Sequence, residues 1–266
     1  MTLAVLSDIH GNMPALRAVL AEASREGVDR VLVLGDLFGP LNVHNVLEEL
    51  RAVNAFVVRG NGERYQLHDK ANWEGWDQFA APRAVEQELG AQGLRWIAAL
   101  PVQASLEYEG VSLRLVHGSP RGDSDALKMD DRPALHRALR MADETILLCG
   151  HTHRAFVYAH SGRYIVNVGS VGMNRNADST ADWTLLTIGD GDARIEQRRA
   201  AYDFAERRRT AGDLPWAMLT MRGIETGQDL FWRFLNEARE RGGGKWPIPN
   251  EAWRGVYGEW AEKGWV

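Results

Sequence analysis

The sequence predicts an α/β fold in which two mixed β-sheets stack face to face between helices, a four-layer α/β/β/α sandwich. Three observations carry this. The first 60 residues alternate strand-type apolar runs with amphipathic helical ones. The stretch from Ser105 to Gln197 is a series of short strands joined by tight turns. Five of the strand-type runs stop at a small residue beside an imidazole, carboxylate or amide. Short β-branched or leucyl runs bounded by turn signals read as buried strands.

Leu3–Leu6 opens the series and leads into Ser7-Asp8-Ile9-His10. Asn12 is placed to cap the next helix and Pro14 suits its first turn. Leu16, Val19, Leu20 and Ala23 then recur at helical spacing until Gly27 closes the helix. Val31–Leu34 runs into Gly35-Asp36. Val43, Val46, Leu47 and Leu50 give a second amphipathic helix, and Phe56–Val58 runs into Arg59-Gly60-Asn61. This β-α-β-α-β order implies parallel strands with right-handed crossovers.

Residues 62–100 are charged and aromatic, with Trp73, Trp76, Phe79 and Trp96, and are expected to form a small helical cap beside the strand ends. Further on, Leu106–Tyr108 and Leu113–Val116 flank Glu109-Gly110, and Phe156–Tyr158 and Tyr164–Val168 flank Ser161-Gly162. Trp183–Ile188 and Ala193–Gln197 flank Gly189-Asp190-Gly191-Asp192. Turns this short mark antiparallel hairpins and a second sheet. Residues 1–200 thus read as one domain and 201–266 as a helical C-terminal tail packed on it. Leu230, Phe231, Phe234, Leu235 and Ala238 fit one tail helix, which Gly242-Gly243-Gly244 stops. Six of the ten tryptophans lie from Trp216 onward. The tail therefore either packs across the domain or offers an aromatic surface to a partner, a second copy of the chain included.

The 266 residues, 45% hydrophobic and 25% charged, are ordinary for a globular protein. A net charge of −5 gives no global attraction for a polyphosphate backbone, so strong sequence-independent nucleic-acid binding is not expected. No apolar stretch approaches the ~18 residues needed to span a bilayer, and no basic apolar leader precedes Leu3. The expectation is a cytoplasmic protein with no membrane partner. Cys149, the one cysteine, ends an apolar run and reads as a buried core thiol.

In open α/β sheets, ligand chemistry gathers just past the carboxyl ends of the strands. Asp8, His10, Asp36, Asn61, His117, His151 and His153 all fall at such ends. Asp8 and His10 lie two apart, as do His151 and His153, so each pair can point one way from an extended segment. Burying seven such groups without cations would leave them unpaired at considerable cost. The expected site is a pair of metal ions, which about 3.5–4 Å apart can activate a bridging water and clamp a phosphoryl oxygen during in-line displacement. Imidazole, carboxylate and amide donors without thiolate suit Mn, Fe, Co, Ni or Zn.

Taken in order, Asp8-x-His10, Gly35-Asp36, Gly60-Asn61, His117-Gly118 and Gly150-His151-Thr152-His153 resemble the blocks of the calcineurin-like metallophosphoesterase superfamily. Smaller features resemble its compact bacterial phosphodiesterase branch. These are Gly35-Asp36-Leu37-Phe38-Gly39-Pro40, His117-Gly118-Ser119-Pro120, Asn167-Val168-Gly169-Ser170-Val171-Gly172, Tyr202-Asp203 and Leu214-Pro215. The resemblance implies the same sandwich and two divalent transition-metal ions, with Mn²⁺ the first expectation. Asp8, His10, Asp36 and His153 would hold one ion, and Asp36, Asn61, His117 and His151 the other. It implies hydrolysis of small or nucleotide-type phosphodiesters by a metal-bridging hydroxide, through which Asp36, Asn61 and His117 would act.

One departure matters. Where the family's asparagine block usually continues with a histidine that protonates the leaving group, this chain has Gly62. Such help is typically worth about 10²–10⁴ in rate, so Gly62 points away from a fast phosphomonoesterase. His68 is either a replacement acid or a solvated residue. Arg59, Asn12 and Arg121 are candidate substrate contacts. The bland alternatives are an ion pair with Glu63 for Arg59, plain capping for Asn12 and an ordinary surface position for Arg121. Glu63 itself reads as a loop anchor or an outer support for a ligand. The competing function is a catalytically weak metal-binding scaffold of the same fold. Gly62 and the tryptophan-rich tail favour the scaffold, whereas the complete ligand set favours the enzyme.

Overall fold

Alternation along one strand organises the stack. In β1 (Thr2–Leu6), Leu3 and Val5 face a core shared with Leu32, Leu34, Leu113, Leu115, Ile146, Leu148 and Val166, whereas Ala4 and Leu6 face helices. A period-2 strand buried on both sides needs a layer on each face. In the computed structural model, which describes residues 1–68, 81–176, 178–212, 214–244 and 248–265, that is the arrangement. Trp73, Trp76 and Phe79 of the expected cap, and Trp246 of the tail, lie outside the described residues.

The first sheet joins β1, β2 (Arg30–Val33) and β3 (Phe56–Val57) in parallel. The antiparallel strands β9 (Thr180–Gly189) and β10 (Asp192–Ala201) complete it in the order β10-β9-β1-β2-β3. The second sheet contains β4 (Gln103–Tyr108), β5 (Val111–Val116), β6 (Ile146–Cys149), β7 (Phe156–His160) and β8 (Arg163–Asn167). Its order is β4-β5-β6-β8-β7, with β5, β6 and β8 parallel. Helices α1 (Met13–Arg25) and α2 (Val43–Ala52) cover the first sheet. Helix α5 (Arg132–Met141) covers the second, against Leu147, Cys149 and Ile165.

Both sheets are mixed, as expected, but the last hairpin does not join the second sheet as its turn spacing suggests. Strand β9 pairs with β1, with Val5 opposite Thr184. The reason is two-sided burial: Leu186 and Ile188 enter the core between the sheets, while Ala181, Trp183 and Leu185 pack toward α1. Such a strand needs a neighbour on each edge, and β1 and β10 supply them.

The cap contains α3 (Asn61–His68) and α4 (Pro82–Ala99), and Val85, Leu89 and Ile97 of α4 rest on Val43 and Leu47 of α2. The tail comprises α6 (Phe204–Thr210), α7 (Pro215–Thr226), α8 (Leu230–Arg241) and α9 (Asn250–Glu262). It has a core of its own in which Trp216, Phe231, Phe234, Trp253 and Trp260 meet Met173 of the sandwich. Within this core Trp253 and Trp260 are buried, and Trp260 donates to Glu237 at 3.0 Å. Among the described residues, no helix is long and apolar enough to cross a membrane.

Cys149 sits in the core under α5, where burial and the charge of Asp8 push its thiol pKa up. Its sulfur is expected to resist a thiol reagent in the native protein and to react only on unfolding. Rapid labelling of folded protein would contradict this placement.

Candidate metal centre

Five of the seven expected ligands hold backbone conformations that L-residues rarely adopt. Asp8, His10, Asp36, His151 and His153 have φ between 46° and 63°. Each such residue costs roughly 1–3 kcal/mol and persists only where its surroundings over-determine it. Here the strand-end loops bond to one another. The Asp8 N–H donates to Gly35 O at 3.0 Å and the His10 N–H to Asp36 O at 3.1 Å. The Gly150 N–H donates to His117 O at 2.8 Å and the Gly172 N–H to Asp8 O at 2.9 Å. Two glycines allow this closeness: a Cβ at Gly60 would run into Asp36, and one at Gly150 into Ser7 and Asp8.

The side chains converge at the same place. His153 Nε2 lies 3.1 Å from Asp8 Oδ1, and His10 Nε2 lies 3.2 Å from His153 Nε2. Asp36 faces both ways, with Oδ2 3.9 Å from His10 Nε2 and Oδ1 3.5 Å from His117 Nε2. Asn61 Oδ1 is 3.0 Å from His117 Nε2, and the His151 ring stands edge-on to His117 at 5.2 Å between centroids. All seven residues are thus brought together. Two tight clusters result, Asp8–His10–His153 and Asp8–Asp36–His117. Asp8 belongs to both clusters, whereas Asp36 belongs to the second and approaches the first only through the 3.9 Å distance to His10. The sequence reading assigned the sharing to Asp36 alone.

Three features show that these residues fit cations. Asp8 Oδ2 accepts from Ser7 Oγ at 2.6 Å and from the His151 N–H at 2.9 Å, while the buried Oδ1 has no hydrogen-bond partner. His117 Nδ1 and His153 Nδ1 are held by the carbonyls of Leu34 at 2.7 Å and Met173 at 2.6 Å, which aims both Nε2 atoms inward as ligands. Burial, reinforced by His117, lowers His151 to about 4, so its imidazole is neutral and ready to ligate.

Glu63, 1% exposed, is the loop anchor rather than a partner of Arg59. Its carboxylate accepts from the backbone N–H groups of Asp36 at 2.9 Å, Leu37 at 2.8 Å and Gly60 at 2.9 Å.

The ligands open onto a cleft of about 710 Å³ lined by His10, Asp36, Asn61, Gly62, His151 and His153, among others. The substrate contacts expected from sequence are not on it. Arg59 is half-buried with its N–H on Pro101 O, and Arg121 is exposed beside Asp125. Asn12 is fully buried and caps α1 through the Ala15 N–H while donating to Gly172 O, so its side chain is occupied. His68 is exposed at the far end of α3. Arg64, Tyr65 and Arg239 line the cleft instead. Arg64 forks onto Asp123 at 2.7 and 3.2 Å and also donates to Ser124 Oγ at 3.0 Å. Helical spacing from Asn61 could have found Arg64 and Tyr65, three and four residues on. Nothing local marks Arg239.

Two outcomes follow. Glu63→Gln leaves the seven ligands in place but weakens the loop that carries Asp36, and is expected to lower metal affinity about 10–100-fold in a metal titration. The second concerns pH. Burial opposes protonation of His117 and His153, but Asp8 and Asp36 outweigh it and hold both above the ordinary 6.5. In metal-free protein this stabilisation is full below 6.5 and is lost as pH climbs through the raised folded values. Metal binding needs neutral imidazole and displaces those protons. The melting-temperature gap between metal-loaded and metal-stripped protein should therefore widen from about pH 6 to about pH 8. A flat or narrowing gap would contradict this.

Residues 1–191 match the Calcineurin-like phosphoesterase superfamily domain. The chain is 26% identical to a metallophosphoesterase from Sphaerobacter thermophilus, with a TM-score of 0.63 over 79% of this chain and 92% of that one. The hypothetical protein PH1004 from Pyrococcus horikoshii OT3 shares the fold at 21% identity, with a TM-score of 0.69 over 85% and 97% of the two chains. The uncharacterized protein MJ0912 of Methanocaldococcus jannaschii is 25% identical over 221 residues, 76% of this chain and 88% of its own. The five ligand blocks fall within the matched region and converge at one site: this chain belongs to the calcineurin-like phosphoesterase superfamily.

Proposed function

We propose that the protein is a dimetal phosphodiesterase acting on small or nucleotide-type phosphodiesters. The observation that carries this reading is the pair of clusters that share Asp8, its unpartnered Oδ1 lying among three imidazoles, with His10, Asp36, Asn61, His151 and His153 open to the cleft. Two divalent ions, Mn²⁺ the first expectation, would supply an activated water and a clamp on the phosphoryl oxygens. Asp8, His10, Asp36 and His153 would hold one, and Asp36, Asn61, His117 and His151 the other. Arg64, fixed by Asp123, brings positive charge to the cleft to orient the ester anion.

The preference for diesters rests on Gly62. Its N–H donates to Asp36 Oδ1 at 2.7 Å, and it carries no group to protonate a departing alkoxide. Diesters with acidic leaving groups need that help least.

Metal-stripped protein given Mn²⁺ is expected to hydrolyse bis(p-nitrophenyl) phosphate faster than p-nitrophenyl phosphate, and Asp36→Ala to abolish both activities. If Mn²⁺ and other divalent ions bind and neither ester turns over, the catalytically weak scaffold is the better reading. A Cβ at position 62 would stand 3.0 Å from Asp36 Oδ1, so Gly62→Ala measures the cost of crowding that ligand. Relative to Gly62→Ala, Gly62→His is expected to raise turnover of esters with poor leaving groups by up to about 10²–10⁴. No gain over the alanine variant would remove the argument from the missing acid.

A further inference from the structure

The cleft is larger and more aromatic than a metal-bound phosphate requires. About 710 Å³ falls in the range of roughly 300–1,000 Å³ that accommodates organic ligands of drug size. Much of its lining comes from the tail, beyond the residues matched to the family domain: Trp216, Phe231, Trp232, Leu235, Arg239 and Trp253. Two of these rings stand directly against metal-ligand candidates. Trp232 is edge-on to His153, with centroids 5.1 Å apart at 86°, and Trp216 is edge-on to His10 at 6.4 Å.

Trp232 is also held. The Arg175 guanidinium lies 5.0 Å from its ring centre, and Arg175 is itself ion-paired with Asp229 at the start of α8. Unlike Trp216, which is 5% exposed, Trp232 is only half-buried and keeps ring surface in the cleft. Half-buried Phe38 and Tyr65 add further ring surface from the sandwich and cap. An indole neither ligates a divalent ion nor neutralises a phosphate. What it offers is a rigid flat face, and stacking of a ring on such a face tolerates many ring types.

We propose that the helical tail forms a stacking subsite for the flat aromatic or heteroaromatic ester group of the substrate, with Trp232 as its specificity-determining residue. The preferred diester then carries a nucleobase or aryl group beside the scissile phosphate. This deepens the phosphodiesterase reading, but the binding it describes is testable without turnover.

Mn²⁺-loaded protein would be titrated calorimetrically with AMP and with ribose 5-phosphate, which differ by the base. AMP is expected to bind at least about tenfold more tightly. Trp232→Leu should bring the two to near parity with bound Mn²⁺ unchanged, and Trp232→Phe, which keeps a ring, should retain most of the difference. Equal affinities in the wild type, or an AMP advantage that survives Trp232→Leu, would overturn the proposal. The bis(p-nitrophenyl) phosphate assay separates the two readings. An AMP advantage in a protein that hydrolyses neither ester keeps the subsite and removes the enzyme. Diester turnover without that advantage does the reverse.

Discussion

A carboxylate buried just past the end of β1, with one oxygen hydrogen-bonded and the other without a hydrogen-bond partner among imidazoles, is the constraint around which this structure is arranged. Asp8 is fully buried. Burial opposes its charge, yet His153 and His117 outweigh that effect and hold the carboxyl well below its ordinary range. The residue also fastens the backbone. Its carbonyl accepts from the Gly172 N–H and from Ser170 Oγ at 2.8 Å, and its Oδ2 takes the His151 N–H. Loops following β6 and β8 are thereby tied to one residue of the loop after β1. An isolated buried charge would be strongly destabilising, so the loops that bring imidazoles to Asp8 Oδ1 and the ions those imidazoles suit belong to one design.

Glu63 does for the other half of the site what Asp8 does for the first. One carboxylate gathers N–H groups from the loop after β2 and the loop after β3, and α3 starts from that junction. The left-handed backbone of the ligands is held in this way rather than by propensity. Conformational strain and crowded charge are tolerated at the strand ends because the sheets beneath bury Leu3, Val5, Leu113, Leu148 and Val166 almost completely. Stability resides in the layers and function at their edge, a division natural proteins commonly show.

The tail lines the cleft beside this site. Trp216, Trp253 and Trp260 are buried as any core would bury them, yet Trp216 ends against His10 and the half-buried Trp232 against His153. A segment that stabilises itself through Phe234, Trp253 and Trp260 thus also shapes the space above the ligands. On the proposed reading, the domain supplies the chemistry and the added helices the subsite beside it.

The sequence by itself determined the strands, the sandwich and which seven donor-bearing residues gather at the strand ends. Each ligand is read from a short-range pattern, an apolar run followed within a few residues by a donor, and strand geometry carries that pattern to the sheet edge. Glu63 as a loop anchor and Cys149 as a core thiol were legible for the same reason. Tertiary structure decided the rest. It placed the β9–β10 hairpin in the first sheet, because a hairpin signal is local while the choice of neighbouring strand depends on burial of both faces. It left Arg59 and Arg121 off the cleft lining although they adjoin ligand blocks, and it occupied Asn12 with backbone. His68 shares the helix face of Asn61 but stands two turns, roughly 10 Å, further along the axis. Arg239 and Trp232 reach the cleft from about 80 or more residues beyond the last ligand block, a juxtaposition set by how the tail helices pack and carried by no local pattern.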